Sequence, residues 1–212
     1  RDTMTVDQTF WDKTAPKYAQ QPISNMQAYE ETLARTVSYL HPDNRLLELG
    51  CGTGGTALRL APHVHSIVAT DFSAGMIAQA QDRDPAENVT FLQADAFSPD
   101  LEPGVFDVIV GFNLFHLVKD PRGVYARIHD LLAPDGLFIS KTPCIGERSL
   151  GWKFGALRLA IPVMQFFGKA PFVNYEKIDG LEQDITAAGF RIVETGNYPV
   201  RPPNHFVVAR KV

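Results

Sequence analysis

Leu46-Leu47-Glu48-Leu49-Gly50-Cys51-Gly52-Thr53-Gly54-Gly55 decides how this sequence is read. Arg45–Leu49 is a short, mostly apolar run of strand length, and a helix is predicted after the glycines to about Pro62. A glycine-rich turn between a strand and a helix leaves backbone amides bare, and a nucleotide-type ligand can lie against them. Glycine suits such a turn because a Cβ blocks close approach and because tight turns need unusual φ. The run parses in two ways. Gly50, Gly52 and Gly54 give G-x-G-x-G, whereas Gly50, Gly52 and Gly55 give the dinucleotide pattern G-x-G-x-x-G. Asp71, at the end of the next strand, suits a pair of ribose hydroxyls under either parsing. The loop alone leaves both open.

Outward from the loop, short apolar or β-branched runs alternate with helical segments. Strands are predicted at 66–70, 89–93, 106–110 and 138–141, with one helix capped by Ser73 and another from Asp120-Pro121 to about Leu132. This alternation indicates an α/β fold, a mostly parallel sheet with helices on both faces. Two helices, 7–20 and 25–40, precede it as an N-terminal cap, with Phe10, Trp11, Tyr18, Tyr29, Leu33, Val37 and Leu40 at their apolar positions. A helix at 178–188 ends at Gly189, and an antiparallel strand pair, 190–195 and 205–210, closes the chain around Pro202-Pro203. With Arg45–Leu49 these make a seven-stranded sheet. A single domain over 1–212 is expected, with a helical cap at 7–40, a core at 43–142 and 176–212, and an insertion at 145–173.

Composition bounds the function. The 212 residues are 45% apolar and 21% charged, ordinary for a globular chain. Twenty basic against twenty-four acidic residues give a net charge of −4, which is no footprint for tracking a nucleic-acid backbone. Cys51 and Cys144 alone build neither a disulfide framework nor a zinc ribbon, so a reducing, cytoplasmic setting is expected. The first twenty residues carry charges and no leader-like apolar run. The apolar stretch 159–168 is about half of the ~20 residues that a membrane span needs.

Three features separate the two parsings. Glu48 precedes the loop, where a carboxylate attracts a ligand's ammonium group and repels a pyrophosphate. Asp95-Ala96, after the strand at 89–93, offers an acceptor and a backbone donor to an adenine edge. Asn113-Leu114-Phe115-His116 sets polar and aromatic groups at the carboxyl ends of the strands, where α/β ligands bind. Together these residues resemble the seven-stranded S-adenosylmethionine-dependent methyltransferases, near the small-molecule group that includes the ubiquinone and menaquinone enzymes. The resemblance rests on LLELGCGTGG (46–55), VATDFSAGMIAQAQ (68–81), LQADAF (92–97), FDVIVGFNLFHLV (106–118) and LLAPDGLFISKT (131–142), in the family's order and spacing. It covers 43–142 strongly, WDKTAPKYAQ (11–20) loosely, and nothing from 145 onward.

The resemblance implies S-adenosylmethionine as cofactor and S-adenosylhomocysteine as product; the lack of an acidic cluster in the sequence leads us to expect no metal. By it, Gly50, Cys51, Gly52 and Thr53 line the methionine part with Asn113 beneath, and Glu48 stands beside them. Asp71 takes the ribose, Phe72 and Met76 pack on adenine, and Asp95, Ala96 and Phe97 form its edge. Phe72 and Met76 also suit a plain core role. Tyr18 either reaches over the cofactor's carboxylate or packs on Trp11. Cys51 is a small loop residue, since methyl transfer needs no covalent enzyme intermediate. His116 is the first choice for a general base, with a hydrogen-bonded loop histidine as the plainer reading.

The expected reaction moves a methyl group in line to a small, apolar or aromatic acceptor, with alignment and exclusion of water carrying the catalysis. The rivals are a non-catalytic S-adenosylmethionine-binding protein and an NAD-dependent oxidoreductase, which has no use for Asp95. No Asn/Asp-Pro-Pro-aromatic motif follows the strand at 106–110, and no acidic cluster suggests a magnesium site. In 151–173, Lys153, Arg158 and Lys169 sit among Trp152, Phe154, Phe166, Phe167 and Phe172. The segment reads as a lid over the acceptor pocket, or as a basic-aromatic surface in peripheral contact with a membrane; Pro162, which breaks a continuous helix, favours the lid.

Overall fold

β1 (Arg45–Leu49) has four consecutive buried residues because it lies inside the sheet, between the parallel β2 (Ser66–Asp71) and β4 (Phe106–Phe112), with both sheet faces covered. A strand enclosed in this way has no solvent face, so it shows an apolar run in place of alternation. The computed structural model describes residues 5–147, 161, 164–165 and 170–212. β3 (Val89–Gln93) adds in parallel outside β2, and β5 (Leu132–Pro143) outside β4. β7 (Asn204–Lys211) then pairs antiparallel with β5, and β6 (Phe190–Asn197) antiparallel with β7. The seven-stranded order is β3-β2-β1-β4-β5-β7-β6, with β7 alone running against the rest. The mostly parallel sheet with an antiparallel C-terminal strand is therefore as predicted.

Alternate residues of the strands feed two separate cores. On one face Leu46, Ile67, Val108, Val110, Ile139 and Phe206 pack with α2 (Met26–Val37), α3 (Gly55–Leu60) and α4 (Ala74–Gln81). On the other, Leu47, Leu49, Ile109, Phe138 and Val207 meet α5 (Pro121–Leu131) and α6 (Ile178–Ala187). Removing a side chain as buried as Leu46 or Ile109 costs about 2–5 kcal/mol. Ser73 and Asp120 cap α4 and α5, accepting from Met76 N at 3.1 Å and Gly123 N at 3.0 Å. Gly189 follows α6 at φ +93°, the C-terminal stop expected of it.

Several boundaries differ from expectation by a few residues, three of them with a visible cause. The helix after the glycine loop stops at Leu60, and a 3-10 turn covers Ala61–His63 around Pro62. α2 ends at Val37, freeing Tyr39 to donate its hydroxyl to Glu194 of β6 at 2.6 Å. β5 begins at Leu132, six residues early, because Leu132 already pairs with Phe106 before a register shift absorbs Ala133–Gly136.

α1 (Thr5–Ala19) lies across the N-terminus of α4. One carboxylate oxygen of Asp12 accepts from Ser73 Oγ at 2.6 Å and from Gly75 N at 3.0 Å. A Cβ on Gly75 would stand 2.9 Å from the Asp12 backbone, so glycine permits this crossing. Most of the 145–173 insertion, including its basic and aromatic residues between 152 and 169, lies outside the described residues. Among the described residues no helix is long and apolar enough to cross a membrane.

Candidate active site

The strand order reverses between β1 and β4, and a cavity of about 990 Å³ opens at their carboxyl ends. Such a crevice is where open α/β sheets bind ligands. The β1 loop leaves the strand with Gly50 at φ +68°, then Gly52 at +54° and Gly54 at +77°. At Gly50 a Cβ would lie 2.9 Å from Leu114, and at Gly54 2.6 Å from Phe91, so protein packing requires those two glycines. Gly52 is different: the nearest atom to its missing Cβ is Tyr18 Cε1, at 3.8 Å. Its bare side faces the cavity, and a backbone surface is offered there.

Two carboxylates organise the loop. Asp71, at the end of β2, accepts from Gly52 N at 3.0 Å and from Ser73 N at 2.9 Å, pinning the glycine turn to the start of α4. Burial pushes its carboxyl up, while these two amides hold it down. Glu48, two residues before the loop, is 3% exposed. Its Oε2 is buried with no hydrogen-bond partner among the described residues. Burial, then the nearby Asp71 charge, push its carboxyl up to about 8. A buried carboxylate oxygen without a partner, on the wall of a cavity, is a built receptor for a cationic hydrogen-bond donor. Burial drives the Cys51 thiol up as well, so it stays protonated; its amide donates to Thr70 O at 2.8 Å.

The cavity wall brings together the thirteen residues predicted to hold a cofactor. Beyond the loop and Asp71, these include Phe72 and the buried Met76 beside Asp95, Ala96 and the exposed Phe97. Asp95 Oδ1 is taken by its own Phe97 N at 2.8 Å, leaving the second oxygen for a ligand. Asn113, at φ +55°, receives Asn204 Nδ2 on its Oδ1 at 2.8 Å. Tyr18 packs edge-on to Trp11 at 6.3 Å, and its ring edge stands over Gly52. Burial, then Asp71, raise its phenol.

His116 is not on the wall. It sits in a 3-10 turn, Phe115–Leu117, with Nδ1 buried and without a partner among the described residues, and burial lowers its imidazole to about 4. Two working residues escaped the sequence reading. Asp12 fixes α1, and Tyr18 with it, over the loop. Lys141 projects from β5 into the cavity lining, 6% exposed, with Nζ donating to Thr32 Oγ1 at 3.0 Å. A lysine within the buried run of a strand, Leu137 to Thr142, was the available signal for it.

Residues 47–140 match a family described as "Methyltransferase domain". A malonyl-[acyl-carrier protein] O-methyltransferase of Geobacter sulfurreducens is 31% identical over 154 residues, 71% of this chain and 57% of that protein. The chain spans about half the length, or less, of most curated relatives it matches. Among solved structures, an S-adenosylmethionine-dependent methyltransferase from Mesorhizobium loti superposes with TM-score 0.68 at 20% identity, covering 87% of this chain and 98% of that one. The [4+2]-cyclase SpnF superposes with TM-score 0.75 at 18% identity, covering 99% and 96%. These likenesses show the fold, and one fold here carries two reactions. Residues 47–140 are thus similar to a methyltransferase domain, on a fold shared with an S-adenosylmethionine-dependent methyltransferase.

Proposed function

We propose that this protein transfers a methyl group from S-adenosylmethionine to a small acceptor in the cavity at the carboxyl ends of β1 and β4. The observation that carries this reading is Glu48 Oε2, buried and unpartnered beside a glycine whose bare face opens on the cavity. That pair fits an amino acid ammonium group and a close-lying chain, whereas the pyrophosphate of a nicotinamide dinucleotide brings no cation to pair with a carboxyl. Glu48 and the Gly52 turn would hold the methionine part, Asp71 the ribose, and Asp95 with the Ala96 backbone the adenine edge. Phe72, Met76 and Phe97 supply apolar surface for the base, and Asn113, fixed by Asn204, bounds the methionine end. When bound, S-adenosylmethionine supplies a methyl group on positively charged sulfur, which an acceptor atom takes in line.

The residues of this chain act by alignment and by keeping water out, a contribution that reaches about 7–11 kcal/mol where reacting atoms are well oriented. Tyr18 and α1 close the loop side, held by Asp12. Thermal unfolding with S-adenosylmethionine, S-adenosylhomocysteine and NADH added separately tests the assignment. A ligand at 100 times its Kd stabilises by about 2.7 kcal/mol, or roughly 5–10 °C for a chain this size. A rise with the two sulfur nucleosides alone is the expected result; a rise with NADH alone overturns the reading.

A further inference from the structure

Lys141 is a buried cation that the cofactor residues do not use. Its Nζ has three donors, and one goes to Thr32 Oγ1, whose own hydroxyl donates to Ala28 O at 2.7 Å. No carboxylate pairs with it among the described residues. Removing an ammonium from water without a counter-charge is costly, and a chain that keeps one on a cavity wall leaves a place for an anion.

The sheet register places this cation. Glu48 lies level with Val110 of β4, and Val110 with Ile139 of β5. Lys141 is two residues past Ile139, so it shares the Glu48 face of the sheet, two strands away and one pleat further toward the carboxyl end. At about 4.8 Å per strand and 3.3 Å per residue, their Cα atoms stand about 12 Å apart. Phe112 of β4 lies level with Lys141, and Met26, Tyr29 and Leu33 of α2, the helix that carries Thr32, line the same cavity. Glu48 and Lys141 therefore set an acidic and a basic group at separate points of one cavity. The first suits a ligand ammonium, and the second an anion.

We propose that the acceptor is a small, largely apolar molecule with one anionic oxygen group, a carboxylate or an ionised acidic hydroxyl, and that Lys141 Nζ pairs with that group. This inference rests on the methyltransferase reading for the word acceptor, but the anion site itself is a separate claim. An ammonium held out of water favours the ionised form of a hydroxyl beside it. It also orients a carboxylate by a charge-assisted hydrogen bond.

The experiment uses the full chain saturated with S-adenosylhomocysteine, whose own binding is measured first by calorimetry. Four probes then follow: cinnamate with its neutral match cinnamamide, and 4-nitrophenol with 4-nitroanisole. Cinnamate should bind at least roughly tenfold tighter than cinnamamide. In the second pair, bound 4-nitrophenol should show its phenolate absorbance at a pH where the free phenol does not. Lys141→Met should erase both effects and leave S-adenosylhomocysteine affinity within about threefold; Lys141→Arg should retain the anion preference. The carboxylate and phenolate arms distinguish the two kinds of acceptor. Failure of S-adenosylhomocysteine to bind overturns the methyltransferase reading and leaves the anion test to be read without it. Normal nucleoside binding with no anion preference in the wild-type protein, or with a preference that survives Lys141→Met, overturns the Lys141 assignment.

Discussion

Replacing Glu48 by Gln tests whether the buried carboxyl is the ammonium receptor, because the two side chains differ chiefly in charge. In the free protein burial and Asp71 raise this carboxyl from 4.5 to about 8. At pH 7 it is then mostly protonated, and forming an ion pair with a ligand ammonium must release close to one proton, roughly 0.9. Wild-type affinity for S-adenosylhomocysteine should rise about tenfold per pH unit below pH 8 and level off above it. Glu48→Gln should release no such proton, and at pH 8 should bind about 10- to 100-fold more weakly, the size of one lost charge-assisted hydrogen bond. Stability should move the other way. A carboxyl raised on folding contributes stability that is complete below pH 4.5 and is lost as pH rises through about 8. At about 1.4 kcal/mol per unit, the ligand-free wild-type protein gives up about 5 kcal/mol across that window. Its midpoint should fall with pH more steeply than that of Glu48→Gln. Calorimetry in two buffers of different ionisation enthalpy reads the proton directly. Equal proton release and equal affinity in the two proteins would refute the assignment.

Gly52→Val should leave a folded protein, with a midpoint lower by about 2–8 °C for the strain of a branched residue at φ +54°, and should abolish nucleoside binding because its side chain enters the cavity. Asp12→Ala removes the acceptor shared by Ser73 Oγ and Gly75 N. A loss of about 2 kcal/mol is expected, with faster hydrogen exchange in α1 than in α5. Burial lowers the Lys141 ammonium from 10.5 to about 8, a cost fully present below pH 8 and gone by pH 10.5. Lys141→Met should therefore melt higher than wild type at pH 7, and the difference should vanish by pH 10.5.

Much of the site was legible because its geometry is local. The run from Leu46 to Gly55 specifies a strand, a turn of positive φ and a helix within ten residues, and the missing side chain of Gly52 is written in the sequence itself. Glu48, Asp71 and Asp95 are each at or next to the end of a strand, so one alternating pattern brings all three to the same edge of a parallel sheet. Strand identity was legible for the same reason, since burial on both faces writes itself into an apolar run. His116 shows the limit of such reading: a loop position fixes the edge of the sheet but not the direction of a side chain, and the 3-10 turn at Phe115–Leu117 keeps its ring off the cavity wall.

The sequence by itself determined the strands, the glycine turn and the acidic strand ends, all of which follow from hydrogen bonds and sterics between near neighbours. Tertiary structure decided three further things. It set β7 between β5 and β6. It laid α1 across α4 through Asp12 and Gly75, which are 63 residues apart. It also turned Lys141 from a strand-end lysine into the cation of a cavity, by bringing up Thr32 across 109 residues. Each depends on which surfaces meet after the chain has folded back, and a contact between distant segments leaves no period or spacing in the sequence on either side of it.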